Sequence, residues 1–133
     1  LSFCGEDKIF RKICQEKPVL VPVPLHTARL RWRGFNQSEL LGRLIAKNLG
    51  LTLAPSLLVR VKNTRPQVEL DKNQRRSNIR GAFKISSNFK LKIKNCKFIV
   101  FDDVWTSGAT LREATKVLKR SGAKKVWGLT LAR

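Results

Sequence analysis

The chain has 133 residues, which is enough for one domain that buries its own hydrophobic core. Apolar residues make up 42% of it, but no apolar run approaches the ~18 residues of a membrane-spanning helix, so a membrane span is excluded. Its 28 lysines and arginines against 9 acidic residues leave a net charge of +19, which favours nucleic acid or a substrate with several phosphates, or else indicates a generally basic solvated surface.

The first 17 residues predict a short helix that packs on the rest of the chain, with Ile9, Phe10 and Ile13 on one face. The sequence contains no methionine, even at its first position, so we expect it to be the trailing part of a longer product. No stretch at the start has the pattern of a signal peptide, and we expect a cytoplasmic protein. The three cysteines form no C-x-x-C pair, which predicts neither a disulfide framework nor a zinc site.

A strand, a loop and a helix are predicted between Pro18 and Gly50. Valines alternate in VLVPVPL, which is typical of a strand that ends where the prolines remove backbone donors. The loop at residues 26–34 carries three arginines. After it, Asn36 and Glu39 form a possible capping pair for a helix that Gly50 ends.

The middle of the chain predicts three further segments. Residues 57–61 form a strand candidate, and the polar stretch at 62–80 that follows is either functional or disordered. Residues 82–85 resume a strand pattern. At 89–93 apolar residues alternate with lysines, which predicts a half-exposed edge strand with a lysine face.

The stretch KFIVFDDVWTSGAT at residues 97–110 predicts the centre of the fold. Its apolar run suits a strand buried on both faces of a parallel sheet, and Asp102 and Asp103 follow at the carboxyl end, where open α/β sheets bind ligands. The small-residue loop at 106–110 leads into a helix and a last parallel strand. Such a loop can direct N–H groups and hydroxyls at a phosphate, and the acidic pair can bind sugar hydroxyls or a hydrated magnesium ion.

The acidic pair allows three interpretations. A receiver-domain phosphorylation pocket needs a separate phosphoacceptor aspartate, and none lies between Asp71 and Asp102. Helix capping does not require two adjacent carboxylates, and no G-x-x-x-x-G-K-[ST] stretch supports a P-loop NTPase. Sugar binding is therefore favoured, because the pair, the loop and the helix agree in one sequence context.

Four stretches resemble a known family. VFDDVWTSGAT resembles the signature of type I phosphoribosyltransferases, while VPVPLHTARLRWRGFNQSELL, NTRPQVELDKNQRRSNIRGAF and GLTLAR are similar to the ComF family, phosphoribosyltransferase-like proteins associated with bacterial natural competence. The resemblance implies an α/β fold, a doubly wound parallel sheet over residues 18–133, preceded by a helical segment at 1–17. ComF relatives often carry a four-cysteine zinc module upstream, to which nothing in this sequence corresponds.

The resemblance also implies a role for each part of the site. Asp102 and Asp103 take the catalytic positions, contact the ribose of phosphoribosyl pyrophosphate, and hold Mg²⁺ through ribose or water. The 5′-phosphate is bound by a loop that consists of Thr106, Ser107, Gly108, Ala109 and Thr110. The pyrophosphate is bound by the arginine-bearing loop and a flexible arm, with His26, Arg29, Arg33, Arg75 and Arg76 as candidates.

Two residues, Trp105 and Ser107, depart from the signature, and Ser107 is the milder change because it keeps a hydroxyl. Trp105 stands where a small or aliphatic residue is common, so its ring can narrow the site or pack under the loop. Thr106 stands where purine-salvage relatives of the hypoxanthine type carry an aspartate that contacts the base. The acceptor is therefore left open.

Two functions follow from the resemblance. In the first, the protein is a phosphoribosyltransferase that transfers the phosphoribosyl group from phosphoribosyl pyrophosphate to a nucleobase-type acceptor, with Mg²⁺ as cofactor. In the second, it is a non-catalytic competence protein that binds single-stranded DNA or a competence helicase. Trp32, between Arg31 and Arg33, is one aromatic and cationic cluster suited to base stacking, but it is too small to decide. A homodimer is a further expectation.

Overall fold

The computed structural model describes residues 8–63, 70–104 and 108–132. In chain order the elements are α1 (Lys8–Gln15), β1 (Val19–Pro22), α2 (Thr27–Arg33), α3 (Gln37–Leu49), β2 (Leu58–Arg60), α4 (Lys72–Ile79), β3 (Phe83–Ile85), a 3₁₀ helix (Ser87–Lys92), β4 (Lys97–Val104), α5 (Ala109–Arg120) and β5 (Lys125–Ala132). Among these described helices, none is long and apolar enough to cross a membrane.

The main sheet is parallel, with strand order β1-β4-β5. Its register places Val100 opposite Val21 on one side and Gly128 on the other, so β4 is the central strand, as predicted. A single parallel bridge between Leu20 and Leu53 extends the sheet beyond β1. Because all three strands run the same way, their carboxyl ends lie at one edge, and the acidic pair lies at that edge.

Both faces of the sheet are buried, because alternate β4 side chains point to opposite sides. Phe98 and Val100 belong to a cluster with the apolar stripe of α5 and with the β2–β3 pair. Ile99 and Phe101 belong to the other cluster, with α3 and the inner face of α1. All four are at most 2% exposed. Helices therefore cover both faces, which confirms the predicted doubly wound α/β architecture.

Helix α3 is attached to the end of β1 through its first residues. The Asn36 side chain accepts a hydrogen bond from the Ser38 N–H at 3.1 Å and donates its own Nδ2–H to the Val23 carbonyl oxygen at 3.1 Å. The predicted Asn36 cap is therefore confirmed. Glu39 does not complete it, since its carboxylate pairs with Arg43 one turn later at 3.3 Å. The double role of Asn36 fixes the start of α3 beside the carboxyl edge of the sheet.

Two segments expected to be irregular are helical. The predicted loop at 26–34 contains α2, because His26 Nδ1 accepts from the Ala28 N–H and Gly34 ends the helix at φ 83°. The polar stretch at 62–80 contains α4, which begins with a reciprocal capping box between Asp71 and Gln74. Local capping, not apolar periodicity, specifies both helices.

The expected edge strand was wrong, and the expected apolar face of α1 is correct for Phe10 and Ile13 but not for Ile9. The lysine-alternating stretch at 89–93 falls in the 3₁₀ helix and its end, where Leu91 is 97% exposed and Ile93 is fully buried. It cannot be an edge strand, because that pattern would place Leu91 and Ile93 on the same face. In α1 the buried residue is Phe10, whereas Ile9 is 72% exposed and lies outside the contact face.

The pair β2–β3 is antiparallel and separate from the main sheet.

Candidate functional site

The acidic pair is connected to α3 by one buried serine. Ser38 is 4% exposed, and its hydroxyl donates to Asp102 Oδ1 at 3.0 Å and lies 3.4 Å from Asp103 Oδ1. The Asp103 backbone N–H donates to the same Asp102 oxygen at 2.9 Å. Two donors therefore converge on Asp102 Oδ1, and the Ser38 hydroxyl fixes the carboxylates relative to each other.

Asp102 is a weaker acid than an ordinary aspartate. Its pKa is raised from 3.8 to about 7. Burial is the largest cause, and the neighbouring Asp103 carboxylate acts in the same direction. The hydrogen bonds from the Ser38 hydroxyl and the Asp103 N–H act in the opposite direction, because they stabilise the ionised form. Near neutral pH the Asp102 carboxyl is therefore partly protonated, and a bound cation would favour its ionised form.

Three arginines line one cavity of about 120 Å³ together with this pair. Arg29 and Arg33 come from α2, and Arg60 comes from the end of β2. The lining of the cavity therefore combines two carboxylates with three guanidinium groups. Such a cavity suits a ligand with both hydroxyls and phosphates, since carboxylates accept from hydroxyls and guanidinium groups bind phosphate oxygens in pairs.

Arg60, like Ser38, is a site residue that the sequence analysis missed. Its Nη1 lies 3.5 Å from the Pro24 carbonyl oxygen, and its guanidinium lies 5.3 Å from the centroid of the Phe83 ring. Burial lowers its pKa to about 10, and the positive charge of Arg29 adds to that effect, so Arg60 remains protonated at neutral pH. The sequence feature that could have identified Arg60 is strand alternation, because Arg60 follows the buried Leu58 by two residues and lies on the same face of β2.

The predicted site residues separate into four groups. Arg29 and Arg33 join the acidic pair in the cavity, and Thr110, the second residue of α5, also lines it. Thr106 and Ser107 lie outside the described residues, as does Trp105. Ala109 begins α5, and Gly108 precedes it with φ 78°, a left-handed conformation that favours glycine.

The other residues predicted to bind pyrophosphate do not line this cavity. His26 caps α2, with its Nδ1 accepting the Ala28 N–H at 3.2 Å. Arg75 and Arg76 lie on α4, and Arg76 lines a different cleft, between α4 and α5. The structure therefore does not bring the predicted arm arginines to the acidic cavity, and their role toward pyrophosphate stays a prediction.

The oxygen atoms of the acidic pair suit a magnesium ion that is bound together with a substrate. No group of three His, Cys, Asp or Glu side chains that could hold a metal occurs among the described residues. Two carboxylates and one hydroxyl are too few for a cage of protein ligands. Mg²⁺ commonly binds through one or two carboxylates, several waters and substrate phosphates, so Asp102 and Asp103 fit that mode.

We predict that Ser38→Ala raises the pKa of Asp102 further. The substitution removes a donor that stabilises the ionised carboxylate, and alanine is a good helix former at the start of α3. Carboxyl-carbon NMR titration measures the midpoint directly. Ser121→Ala is the control. Ser121 directly follows the last residue of α5, at the end of that helix away from the acidic pair, and its hydroxyl donates to the Val117 carbonyl oxygen. Equal Asp102 midpoints in both variants would show that Ser38 does not tune the pair.

Comparison with known proteins identifies relatives over most of the chain. No family model matches it. It is 35% identical over 115 residues to Competence protein F of Haemophilus influenzae, which covers 85% of this chain and 50% of that protein. It is 36% identical over 112 residues to DNA utilization protein YhgH of Salmonella typhi, and 32% identical over 131 residues to Competence protein ComFC of Bacillus subtilis. The chain spans about half the length of these curated relatives.

Two solved structures with a similar fold are named for phosphoribosyl chemistry. A hypoxanthine phosphoribosyltransferase from Staphylococcus aureus superposes with a TM-score of 0.52 at 16% identity, covering 97% of this chain and 60% of that one. Phosphoribosylpyrophosphate synthetase from Mycobacterium smegmatis gives a TM-score of 0.50 at 18% identity, covering 93% and 30%. At these identities the likeness concerns the fold alone. The resemblance to the ComF family is thus confirmed: the chain is a homologue of Competence protein F, ComFC and YhgH, and it has the type I phosphoribosyltransferase fold.

Proposed function

We propose that the chain binds phosphoribosyl pyrophosphate in the acidic cavity and transfers its phosphoribosyl group to a nucleobase-type acceptor. The observation that carries the proposal is the cavity itself, which is lined by Asp102 and Asp103 together with Arg29, Arg33 and Arg60. A sugar with free hydroxyls and a pyrophosphate offers the complementary groups. The location at the carboxyl edge of a parallel sheet and the fold of the structural neighbours support the same ligand.

The proposed chemistry depends on positioning and charge. As the bond between the anomeric carbon and pyrophosphate breaks, positive charge develops on the sugar and negative charge on the leaving group. The three arginines stabilise the leaving pyrophosphate, because their guanidinium groups donate hydrogen bonds to its oxygens. Asp102 and Asp103 accept from the ribose hydroxyls and fix the anomeric carbon for attack. Magnesium, which the two carboxylates would hold together with the donor, supplies further neutralisation of pyrophosphate charge.

A matched pair of arginine variants tests donor binding. Arg33→Gln should weaken binding of the donor with Mg²⁺ by roughly tenfold or more, because a charged hydrogen bond contributes about 1.5–3 kcal/mol. Arg31→Gln removes the same charge from the same helix, but Arg31 is exposed and does not line the cavity. Its effect should stay within about twofold, the size of a screened long-range charge effect. Equal affinities of the two variants would argue against the proposed pyrophosphate site.

Transfer itself is tested by pyrophosphate release. Wild-type protein with donor, Mg²⁺ and each common nucleobase in turn should release pyrophosphate with at least one base. Normal donor binding without release for any base would restrict the function to binding. That outcome would favour the non-catalytic alternative, since the fold does not determine whether the site turns over.

A second candidate function is nucleic-acid handling. The relatives are named competence and DNA utilization proteins, and the net charge of +19 favours binding of polyanions such as nucleic acid. Basic proteins bind nucleic acid chiefly through its phosphates, and such binding weakens steeply with salt. We propose single-stranded DNA as the ligand of this second function. The cytoplasmic location, a competence helicase as partner and a homodimer stay predictions.

A further inference from the structure

A second cleft, separate from the acidic cavity, lies between α4 and α5. Its volume is about 420 Å³, and four cationic side chains line it. Arg76 lies on α4 and Arg80 directly follows that helix, while Arg112 and Lys116 lie on α5. Neither Asp102 nor Asp103 lines this cleft, so it lacks the sugar-binding groups of the acidic cavity.

The four cations form two rows. Arg76 and Arg80 are four residues apart, and so are Arg112 and Lys116. Residues at this spacing on a helix lie on the same side, about 6 Å apart along the axis. The helical bond from the Arg80 N–H to the Arg76 carbonyl oxygen, at 3.2 Å, keeps Arg80 in register with α4. Each wall of the cleft therefore presents positive charge at two successive levels.

One carboxylate lines the cleft, and the protein itself uses it. Glu113 is 8% exposed, and its Oε1 accepts from the Gly81 backbone N–H at 3.1 Å. Its Oε2 lies 4.0 Å from Lys116 Nζ. Four cations against this one carboxylate leave a positive excess among the described lining residues. The cleft is therefore complementary to an extended anion with several charges, not to a single carboxylate.

The remaining described lining is small and apolar. Ile79 and Ala109 are both buried in the core, and no aromatic ring lies among the described residues that line the cleft. Bases therefore have no stacking platform there, whereas sugar carbons can contact the apolar floor and phosphates can contact the two cationic rows.

We propose that the α4–α5 cleft binds the sugar–phosphate backbone of a single nucleic-acid strand through Arg76, Arg80, Arg112 and Lys116, without reading its bases. The proposal rests on the second function proposed above, and it assigns that function to a surface that excludes the acidic pair. It also gives the arm arginine Arg76 a ligand other than the donor pyrophosphate.

The test compares two double variants that remove identical residue types at identical spacing. Arg112→Gln with Lys116→Gln neutralises the α5 row of the cleft. Arg43→Gln with Lys47→Gln neutralises an exposed pair on α3, which covers the opposite face of the sheet. All four side chains are exposed, so both variants should fold, and thermal unfolding checks this.

Binding of a fluorescent oligothymidylate is measured at several salt concentrations. The α5 variant should lose about tenfold or more in affinity near physiological salt, and its log–log salt slope should become shallower by about 1.4, or ~0.7 for each lost phosphate contact. The α3 variant should change much less in both quantities. A mixed-sequence strand should bind the wild type as tightly as oligothymidylate does.

Each adverse outcome has a distinct meaning. Equal losses in the two variants, or no loss in either, would overturn the cleft assignment while leaving nucleic-acid binding in place. A strong preference for one base sequence would overturn the base-independent mode. A folded wild type that binds no strand at low salt would overturn both the cleft and the second function.

Discussion

Replacing both Asp102 and Asp103 with asparagine is expected to abolish measurable binding of phosphoribosyl pyrophosphate while the fold stays intact. Each carboxylate contributes charged hydrogen bonds to the donor, and the loss of each should cost roughly 1.5–3 kcal/mol. Together the two losses correspond to at least a hundredfold weaker binding. The amide oxygens can still accept from the Ser38 hydroxyl, so the local structure should persist. Donor titration combined with circular dichroism measures both effects.

Asp71→Asn is the matched control for this experiment. Asp71 caps α4 by accepting from the Gln74 N–H at 2.8 Å, and asparagine is an equally good N-cap residue. The control therefore removes the same chemical group elsewhere and should leave both stability and donor affinity near wild type. A folded Asp102→Asn, Asp103→Asn protein that binds the donor as well as Asp71→Asn would rule out a ribose-binding role for the pair.

Asp102→Asn alone is expected to make the folded protein more stable at neutral and alkaline pH. The folded-state pKa of Asp102 is about 7, against 3.8 for an ordinary aspartate, because burial and Asp103 disfavour its charge. Between these values the folded protein holds a proton that the unfolded chain has released. Wild-type stability therefore falls as pH rises from about 4 to about 7. Above that range the stabilisation that comes from the proton bound to Asp102 is fully lost. Asparagine does not titrate and escapes this loss.

Urea unfolding from pH 4 to pH 8 measures this effect. The stability difference should be small at pH 4, grow in favour of Asp102→Asn up to about pH 7, and stay constant at higher pH. Asp103→Asn serves as a second comparison, because it removes the neighbouring charge and should reduce the pH dependence that Asp102 causes. Stability curves of wild type and Asp102→Asn that run parallel across the range would contradict the raised pKa.

These two predictions describe one property of the site. Functional positions often hold a group that lowers the stability of the ligand-free protein but that the ligand needs for binding. At such positions a substitution that raises stability lowers activity. Asp102 has both features in this structure, since it is mostly buried yet lines the cavity. The ligand would restore the lost stability by supplying hydroxyl donors and positive charge.

Local sequence patterns were enough to predict the centre of the fold. The unbroken run before Asp102 predicted a strand buried on both faces, and β4 lies between β1 and β5 with helices on each side. The predicted helix end at Gly50 and the Asn36 cap were likewise local, and both are present. Such features depend on residues within a few positions of one another, so the sequence displays them directly.

The parts of the site that the sequence did not predict depend on contacts between residues that are distant in sequence. Ser38 and Asp102 are 64 residues apart, and no local pattern connects them. Arg60 enters the cavity because the short β2–β3 pair packs beside the sheet, which the pattern of one strand cannot show. The edge strand predicted at 89–93 failed for a related reason, since tertiary burial of Ile93 outweighed the alternating pattern.

Isothermal titration of the wild-type protein with phosphoribosyl pyrophosphate and Mg²⁺ tests the central claim most directly. The proposed site predicts saturable binding of one donor per chain, weaker binding when magnesium is chelated, and none in the Asp102→Asn, Asp103→Asn variant. Absence of saturable binding to the folded wild type in the presence of magnesium would contradict the proposed donor site.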